Sequence, residues 1–320
     1  MTYSRRSFLK NSATAPLLAY GGAAGLASLA SPAQAGAVCY SLGSITGNDP
    51  SGFIKFGNWL GRKPSLALLA FNQSNATELE KSIPYICQQA MGFRAAGARI
   101  LWSVPFPGAK QLESVASGSF DALYTKIFKD IIAASPADNT PIYLRLPWEF
   151  NLSWQENAAV DKNGRLNATA FIQAWRQLSA MAIRISPRFF IIWCPNVNTN
   201  SLDPLLCWPG GQYVHCVTQD FYMQQKYNKP GDFAWFLKEQ RGLLWGADLA
   251  RTYNKKYGLS EWGMDSDIFV ADFNMAALWM DGLGTLMHHQ CWWDRGEVID
   301  SRLTNGARPR LAAAYKAKFG

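Results

Sequence analysis

The 320-residue sequence has only three histidines, His215, His288 and His289, and none of its six cysteines stands in a C-x-x-C pair. Zinc and dithiol chemistry therefore lack their usual ligand spacing. H-E-x-x-H, P-loop and G-x-S-x-G motifs are also missing, which removes the common signatures of zinc proteases, phosphate-binding loops and serine hydrolases. No dense run of lysine and arginine is present, so nucleic acid is not an expected partner. No linker, low-complexity segment or internal repeat divides the chain after its first residues. His288-His289 would be the one place to look for a metal. Adjacent residues on a regular strand point to opposite faces, so no two-histidine ligand set is expected there. His215, at the start of a strand, is expected to pack.

The N-terminus is a targeting segment. Ser4-Arg5-Arg6-Ser7-Phe8-Leu9-Lys10 has the form of a twin-arginine export signal, and Pro32-Ala33-Gln34-Ala35 supplies a small-residue cleavage site. The apolar stretch between them is interrupted by Gly, Ser and Pro, so a stable membrane span is not expected. We therefore expect residues 1–35 to be a signal peptide read by the twin-arginine export machinery. The product would be periplasmic or secreted. Removing Arg5, Arg6 and Lys10 lowers the formal net charge from +8 to +5, a mild basicity that suits solubility more than a polyanion partner.

Residues 36–320 are expected to form one domain. Strand-like apolar runs lie near 38–43, 65–71, 98–104, 141–147, 189–194, 214–221, 257–260 and 285–292. Helix-like segments between them include 78–92, 119–134, 169–185, 232–254 and 267–282. Asn75-Ala76-Thr77 is a helix-start signal before 78–92. Eight strands alternating with helices predict an α/β chain folded as a (β/α)8 TIM barrel. Cys39, Cys194 and Cys216 fall in strand-like runs and read as buried thiols. Cys207 and Cys216 are close enough in sequence to close a loop, though pairing is not legible from sequence.

In such a barrel the active site lies at the C-terminal ends of the strands. Glu149 follows the fourth run and Glu261 the seventh. Asn196 and Asn198 follow the fifth, Asp220 and Tyr222 end the sixth, and Trp292, Trp293 and Asp294 end the eighth. Two carboxylates facing one cleft suit glycoside hydrolysis: one, protonated, gives its proton to the leaving oxygen, and the other attacks the anomeric carbon or activates water. Trp148 and Phe150 beside Glu149 favour a raised pKa by desolvation, whereas Arg145 opposes it. Thirteen tryptophans is a high count for this length; some must be core, and a surplus is also what a carbohydrate cleft needs, where an indole face stacks on a sugar ring.

The segments Arg145-Leu146-Pro147-Trp148-Glu149-Phe150-Asn151, Trp193-Cys194-Pro195-Asn196, Trp208-Pro209-Gly210 leading to Asp220-Phe221-Tyr222, and Ser260-Glu261-Trp262-Gly263 resemble, in order, glycoside hydrolase family 26. This family contains β-mannanases and related endo-glycanases. The resemblance spans roughly residues 36–310. It implies a retaining mechanism with Glu149 as acid/base and Glu261 as nucleophile, Tyr222 bonded to that nucleophile, and Trp154 and Trp293 at or near sugar subsites. The family pattern has histidine where this chain has Trp148, which implies an altered specificity.

The expectation is thus a retaining endo-β-glycanase acting on a mannan-like polysaccharide or a bacterial exopolysaccharide. Glu149 and Glu261 are its catalytic pair; Arg145, Trp148, Asn151, Trp154, Asn196, Asp220, Tyr222, Trp262, Trp292 and Trp293 are its substrate-binding candidates. No cofactor or metal is called for. The alternative is a carbohydrate-binding protein on the same fold whose catalysis has lapsed. A polysaccharide lyase would need a Tyr/His or Lys base arrangement that these residues do not assemble. Asp265, Asp267 and Asp272 read as acids at a helix start. Asp294-Arg295 is either a rim salt bridge or a sugar contact.

Overall fold

The computed structural model describes residues 40–108, 111–198 and 202–320. The expected signal peptide lies outside these residues, as does Cys39. Eight strands close a barrel in sequence order, each parallel to its neighbours, with β8 pairing β1. They are β1 (Ser41–Ile45), β2 (Leu66–Ala70), β3 (Arg99–Ser103), β4 (Ile142–Arg145), β5 (Phe189–Trp193), β6 (Cys216–Met223), β7 (Lys256–Met264) and β8 (Met287–Trp293). The (β/α)8 architecture is as the alternation of runs predicts.

Helices pack around the barrel through their buried apolar residues, and several open on a local start signal. Asn75 caps the helix Ala76–Ala95 by accepting from the Glu78 amide at 2.9 Å, and Asn167 caps Ala168–Ile185 through the Ala170 amide at 3.1 Å. The helix Pro50–Leu60 starts at the Asp49 cap and stops at Gly61, whose φ of 79° is left-handed. The segment 232–254 is not one helix. It forms Phe233–Lys238 and Leu243–Thr252, because the intervening turn is held from outside. There Gln219 Nε2 donates to the carbonyl of Arg241 at 3.0 Å, while Arg241 grips Asp203 with two bonds of 2.7 and 2.9 Å. No helix among the described residues is long and apolar enough to cross a membrane.

The acids that follow β7 tie loops together. Asp272 accepts from the amides of Gly231 and Phe233, each at 3.0 Å, and Asp267 accepts from the Leu311 amide at 2.8 Å. Cys87, Cys194, Cys207, Cys216 and Cys291 are all free thiols, so Cys207 and Cys216 close no loop.

Two apolar layers result. The larger lies between strands and helices and contains Trp102, Trp175, Trp193, Trp262 and Trp292. A smaller one fills the barrel interior with Ile45, Leu66, Leu68, Leu101, Tyr143, Ile192, Cys216 and Cys291. Side chains alternate between the layers along each strand, except at two irregularities in β7 and β8. Pairing of β6 with β7 passes from Gln219↔Leu259 directly to Asp220↔Glu261, leaving Ser260 as an extra residue. Pairing of β7 with β8 passes from Tyr257↔Met287 to Gly258↔His289, leaving His288 extra. Each bulge turns two consecutive side chains to the same face.

The second bulge corrects the expectation for the histidine pair. His288 and His289 do not point to opposite faces: their Nδ1 atoms are 2.8 Å apart, and His288 stacks on Phe190 and packs edge-on against Tyr143 at the barrel floor. His215 packs as expected, with its ring 5.4 Å from Phe190 and its Nδ1 accepting from the Ile191 amide.

Closure between β1 and β8 is tight at Gly43, which pairs with Cys291; a Cβ there would lie 2.4 Å from Cys291 Sγ. Gly43→Ala is expected to lower stability by about 1–3 kcal/mol through overpacking. Denaturant midpoints check this, and the loss should shrink in a Cys291→Ala background. An equal loss in both backgrounds would remove Cys291 as its cause.

Candidate active site

The site grows from β4. Ile142 and Leu144 face the helices, so Tyr143 and Arg145 face inward. Arg145 is completely buried, a costly position for a charge unless it is paired. Its Nε donates to Ser103 Oγ at 2.9 Å, its Nη1 to Asp220 Oδ2 at 3.0 Å, and its Nη2 to Glu261 Oε1. The ring of Trp148 covers the guanidinium, 4.6 Å from its centre. Burial opposes the charge on Arg145, but Glu261 and then Asp220 outweigh it, and its pKa is raised.

Glu261 faces this arginine only because of the bulge at Ser260. Tyr257 and Leu259 belong to the outer layer, and strict alternation would send residue 261 there as well. Instead Ser260 Oγ donates inward to Thr218 at 2.8 Å, Glu261 follows it inward, and Trp262 resumes the outer layer. The second oxygen of Glu261 accepts from the Tyr222 hydroxyl at 2.7 Å. Both carboxylate oxygens thus meet donors on the protein.

Glu149 lies beyond β4 in a tight turn. Its φ is +50°, uncommon for a residue with a side chain and a conformation that costs on the order of 1 kcal/mol or more. The turn is fixed from both sides: the Glu149 amide donates to the Cys194 carbonyl at 2.8 Å, and its own carbonyl accepts from Leu152 at 2.9 Å. Phe150, next along, is driven between Phe171 and Trp193. Glu149 is left 8% exposed, with Oε1 accepting from Asn196 Nδ2 at 2.6 Å and Oε2 from Gln155 Nε2 at 2.7 Å.

Its pKa is pushed up to about 7, first by burial and then by the negative charge of Glu261; the bond from Asn196, the charge of Arg145 and the bond from Gln155 oppose the rise. The opposition between desolvation and Arg145 thus resolves in favour of desolvation. Glu261 adds to the rise, whereas Arg145 lies with its charge committed to Asp220 and Glu261.

The other expected residues divide by position. Arg145, Trp148, Asn196, Asp220 and Tyr222 gather around the two glutamates. Asn151 is buried and works one step back: its Oδ1 accepts from the Asn196 amide and its Nδ2 donates to the Asn196 carbonyl, both at 2.8 Å, which aims Asn196 at Glu149. Arg145 and Asp220, with no exposed surface, likewise hold other side chains and offer nothing to a sugar. Trp262 and Trp292 are placed away from any cleft. Both are wholly buried, Trp262 between Phe221 and Phe273 and edge-on to Trp292, because they occupy outward-facing positions of β7 and β8.

Two tryptophans have surface to offer. Trp293 is partly buried, perpendicular to Tyr222 at 6.0 Å between ring centres and with the Arg295 guanidinium 5.2 Å from its ring centre, and Trp154 is 62% exposed beside Gln155. Asp294 and Arg295 do not pair with each other: Asp294 accepts from Leu303 and Thr304 at 2.6–3.3 Å as a loop tie, and Arg295 pairs with Glu297. Gln155 was not legible as a site residue. Its sequence offers only proximity to Trp154, and its contact depends on the turn at Glu149 doubling back.

No protein-family model matches the sequence, and no curated protein matches it. Solved structures do. The catalytic domain of a GH26 endo-β-1,4-mannanase from Bacillus sp. JAMB-750 is 14% identical and superposes with a TM-score of 0.61 over 87% of this chain and 86% of its own. A modular endo-β-1,4-mannanase from Cellulomonas fimi is 16% identical, with a TM-score of 0.66 over 88% of this chain and 70% of its own. This chain has the glycoside hydrolase family 26 fold. A GH26 β-mannanase from Bacteroides ovatus, 13% identical, matches with a TM-score of 0.56 over 88% of each chain. At these identities the likeness to family 26 is one of fold.

A buried glutamate with a raised pKa destabilises the folded state as it ionises, because the folded protein holds a proton that the unfolded chain releases near the ordinary value. Its contribution is intact below pH 4.5 and is lost progressively as pH rises toward about 7. Glu149→Gln, which keeps the shape and removes the charge, is therefore expected to raise Tm by several degrees at pH 8 and to leave it nearly unchanged at pH 4.5. A Tm difference independent of pH would contradict the assignment.

Proposed function

We propose that the chain is a retaining glycoside hydrolase that cleaves internal β-linkages of a polysaccharide. The observation that carries this reading is the contrast between two glutamates at the ends of strands four and seven: Glu149, whose pKa stands near 7, and Glu261, whose oxygens accept from Arg145 and Tyr222. Pairs of carboxyl groups with unlike surroundings divide the acid and nucleophile roles. The fold shared with the family 26 mannanases supports the same division.

In this mechanism Glu149 gives its proton to the glycosidic oxygen as that bond breaks, and Glu261 attacks the anomeric carbon. Esterification removes the negative charge of Glu261. One cause of the raised pKa of Glu149 is thereby lost, so Glu149 remains ionised and takes a proton from the incoming water. The carboxylate of Glu261 is then released, and Glu149 again holds the proton. Arg145 and Tyr222 orient the nucleophile throughout, and Asn196 and Gln155 orient the acid. Trp154 and Trp293 offer ring surface for sugars.

The substrate we propose is a mannan-like glycan or an exopolysaccharide of the producing cell, reached after export by the twin-arginine route. Support comes from the Arg5-Arg6 signal, the tryptophans at the rim and Trp148 in the place of the family's histidine. The test is release of reducing ends from β-1,4-mannan and from bacterial exopolysaccharides. Activity should fall as pH rises through about 7. Loss of the acid in Glu149→Gln is expected to cost about 10²–10⁴-fold in kcat/KM on a substrate with a poor leaving group, with a far smaller loss in kcat/KM on an aryl glycoside whose leaving group needs no proton; kcat on the aryl glycoside should still fall, after a burst of aglycone, because the base of the second step is missing. Glu261→Ala should abolish turnover on both. Tight oligosaccharide binding with no turnover by the intact protein would favour the lapsed, carbohydrate-binding reading.

A further inference from the structure

The bulge at His288 brings together three potential ligands at the end of the barrel opposite the glutamates. Cys216 Sγ and one nitrogen each of His288 and His289 all lie within 4.8 Å of one another. Cys216 and His289 are buried, and His288 is half-buried at the barrel floor. Regular alternation would not produce it, since one of two adjacent histidines would face the helices. The register shift between Tyr257↔Met287 and Gly258↔His289 turns both inward. Gly258 makes the room: a Cβ there would lie 3.1 Å from His289 Nδ1.

We propose that Cys216, His288 and His289 form a binding site for one copper(I) ion. One thiolate and two imidazoles are a soft-to-borderline donor set, the kind that selects copper(I) or zinc over magnesium or calcium. The surroundings choose between the first two. Arg99 and Lys256 act electrostatically on His288, and Lys256 acts on Cys216. Both neighbours are positive, so a monovalent ion neutralised by one thiolate is favoured over a divalent ion that would leave a net charge. Three donors also satisfy copper(I), which readily accepts trigonal coordination.

The protons balance. Without metal, the 2.8 Å contact between the two Nδ1 atoms requires one of them to carry hydrogen and the other to accept it. On binding, His289 places its hydrogen on Nε2, 3.4 Å from Ser260 Oγ, which gives the ligand an outer partner of the usual kind. The Cys216 thiol proton is released, one per ion bound, and no electron is transferred.

The test uses the full chain, stripped with a chelator and titrated without oxygen with copper(I) against a chromophoric copper(I) chelator, and in parallel with zinc(II). The expected result is one copper(I) retained per chain, lost in Cys216→Ser and in His288→Ala and kept in Cys207→Ser. Copper X-ray absorption should report one sulfur and two nitrogen neighbours, which tests the site in the unsubstituted protein even if a variant folds poorly. No retained copper, retention unchanged by both ligand substitutions, or a preference for zinc would overturn the proposal.

Discussion

Everything around the two glutamates of this barrel is arranged about one buried cation. Arg145 has no exposed surface and bonds to Asp220 and Glu261, with Ser103 and the face of Trp148 completing its surroundings. A guanidinium in such a position persists only with carboxylates beside it, and removing one partner of such a set costs about 3–5 kcal/mol. Each acid has one further donor, Tyr222 on Glu261 and Cys194 on Asp220. Because Arg145 orients Glu261 and holds negative charge at that point, it also sets the field in which Glu149 titrates. The strained turn at Glu149, with its φ of +50°, then places a carboxyl group where that field and its own burial act together.

The geometry also separates residues that touch from residues that hold. Asn151 aims Asn196, Asn196 aims Glu149, and Asp220 anchors the arginine that aims Glu261. This chain of contacts links β4, β5, β6 and β7, so the site is a property of barrel closure and not of one loop. Gln155, further along the segment after β4, reaches back to Glu149 as well.

Much of this was legible in the sequence, for identifiable reasons. Eight apolar runs separated by amphipathic segments suffice for a (β/α)8 barrel, and the strand-end rule then brings Glu149 and Glu261 to one rim. What escaped were departures from regular β geometry. Alternation wrongly separates His288 from His289, and it would have sent Glu261 outward had the rule been applied along β7. Both errors come from single extra residues in a strand, which leave no mark in hydrophobic periodicity. Trp262 and Trp292 were misread for the related reason that a tryptophan beside a site residue in sequence faces the other layer in space. Contacts such as Gln155 to Glu149 depend on how a turn folds back, and sequence spacing does not encode that.

The most direct test is the titration of Glu149 itself, followed by carboxyl carbon-13 NMR in the unaltered protein and in Glu261→Gln. The account predicts an apparent pKa of about 7 that falls when the charge at position 261 is removed, with the remainder of the rise surviving because burial is unchanged. A Glu149 that titrates near 4.5 in both proteins, or one that does not respond to the substitution, would contradict the electrostatic link between the two glutamates.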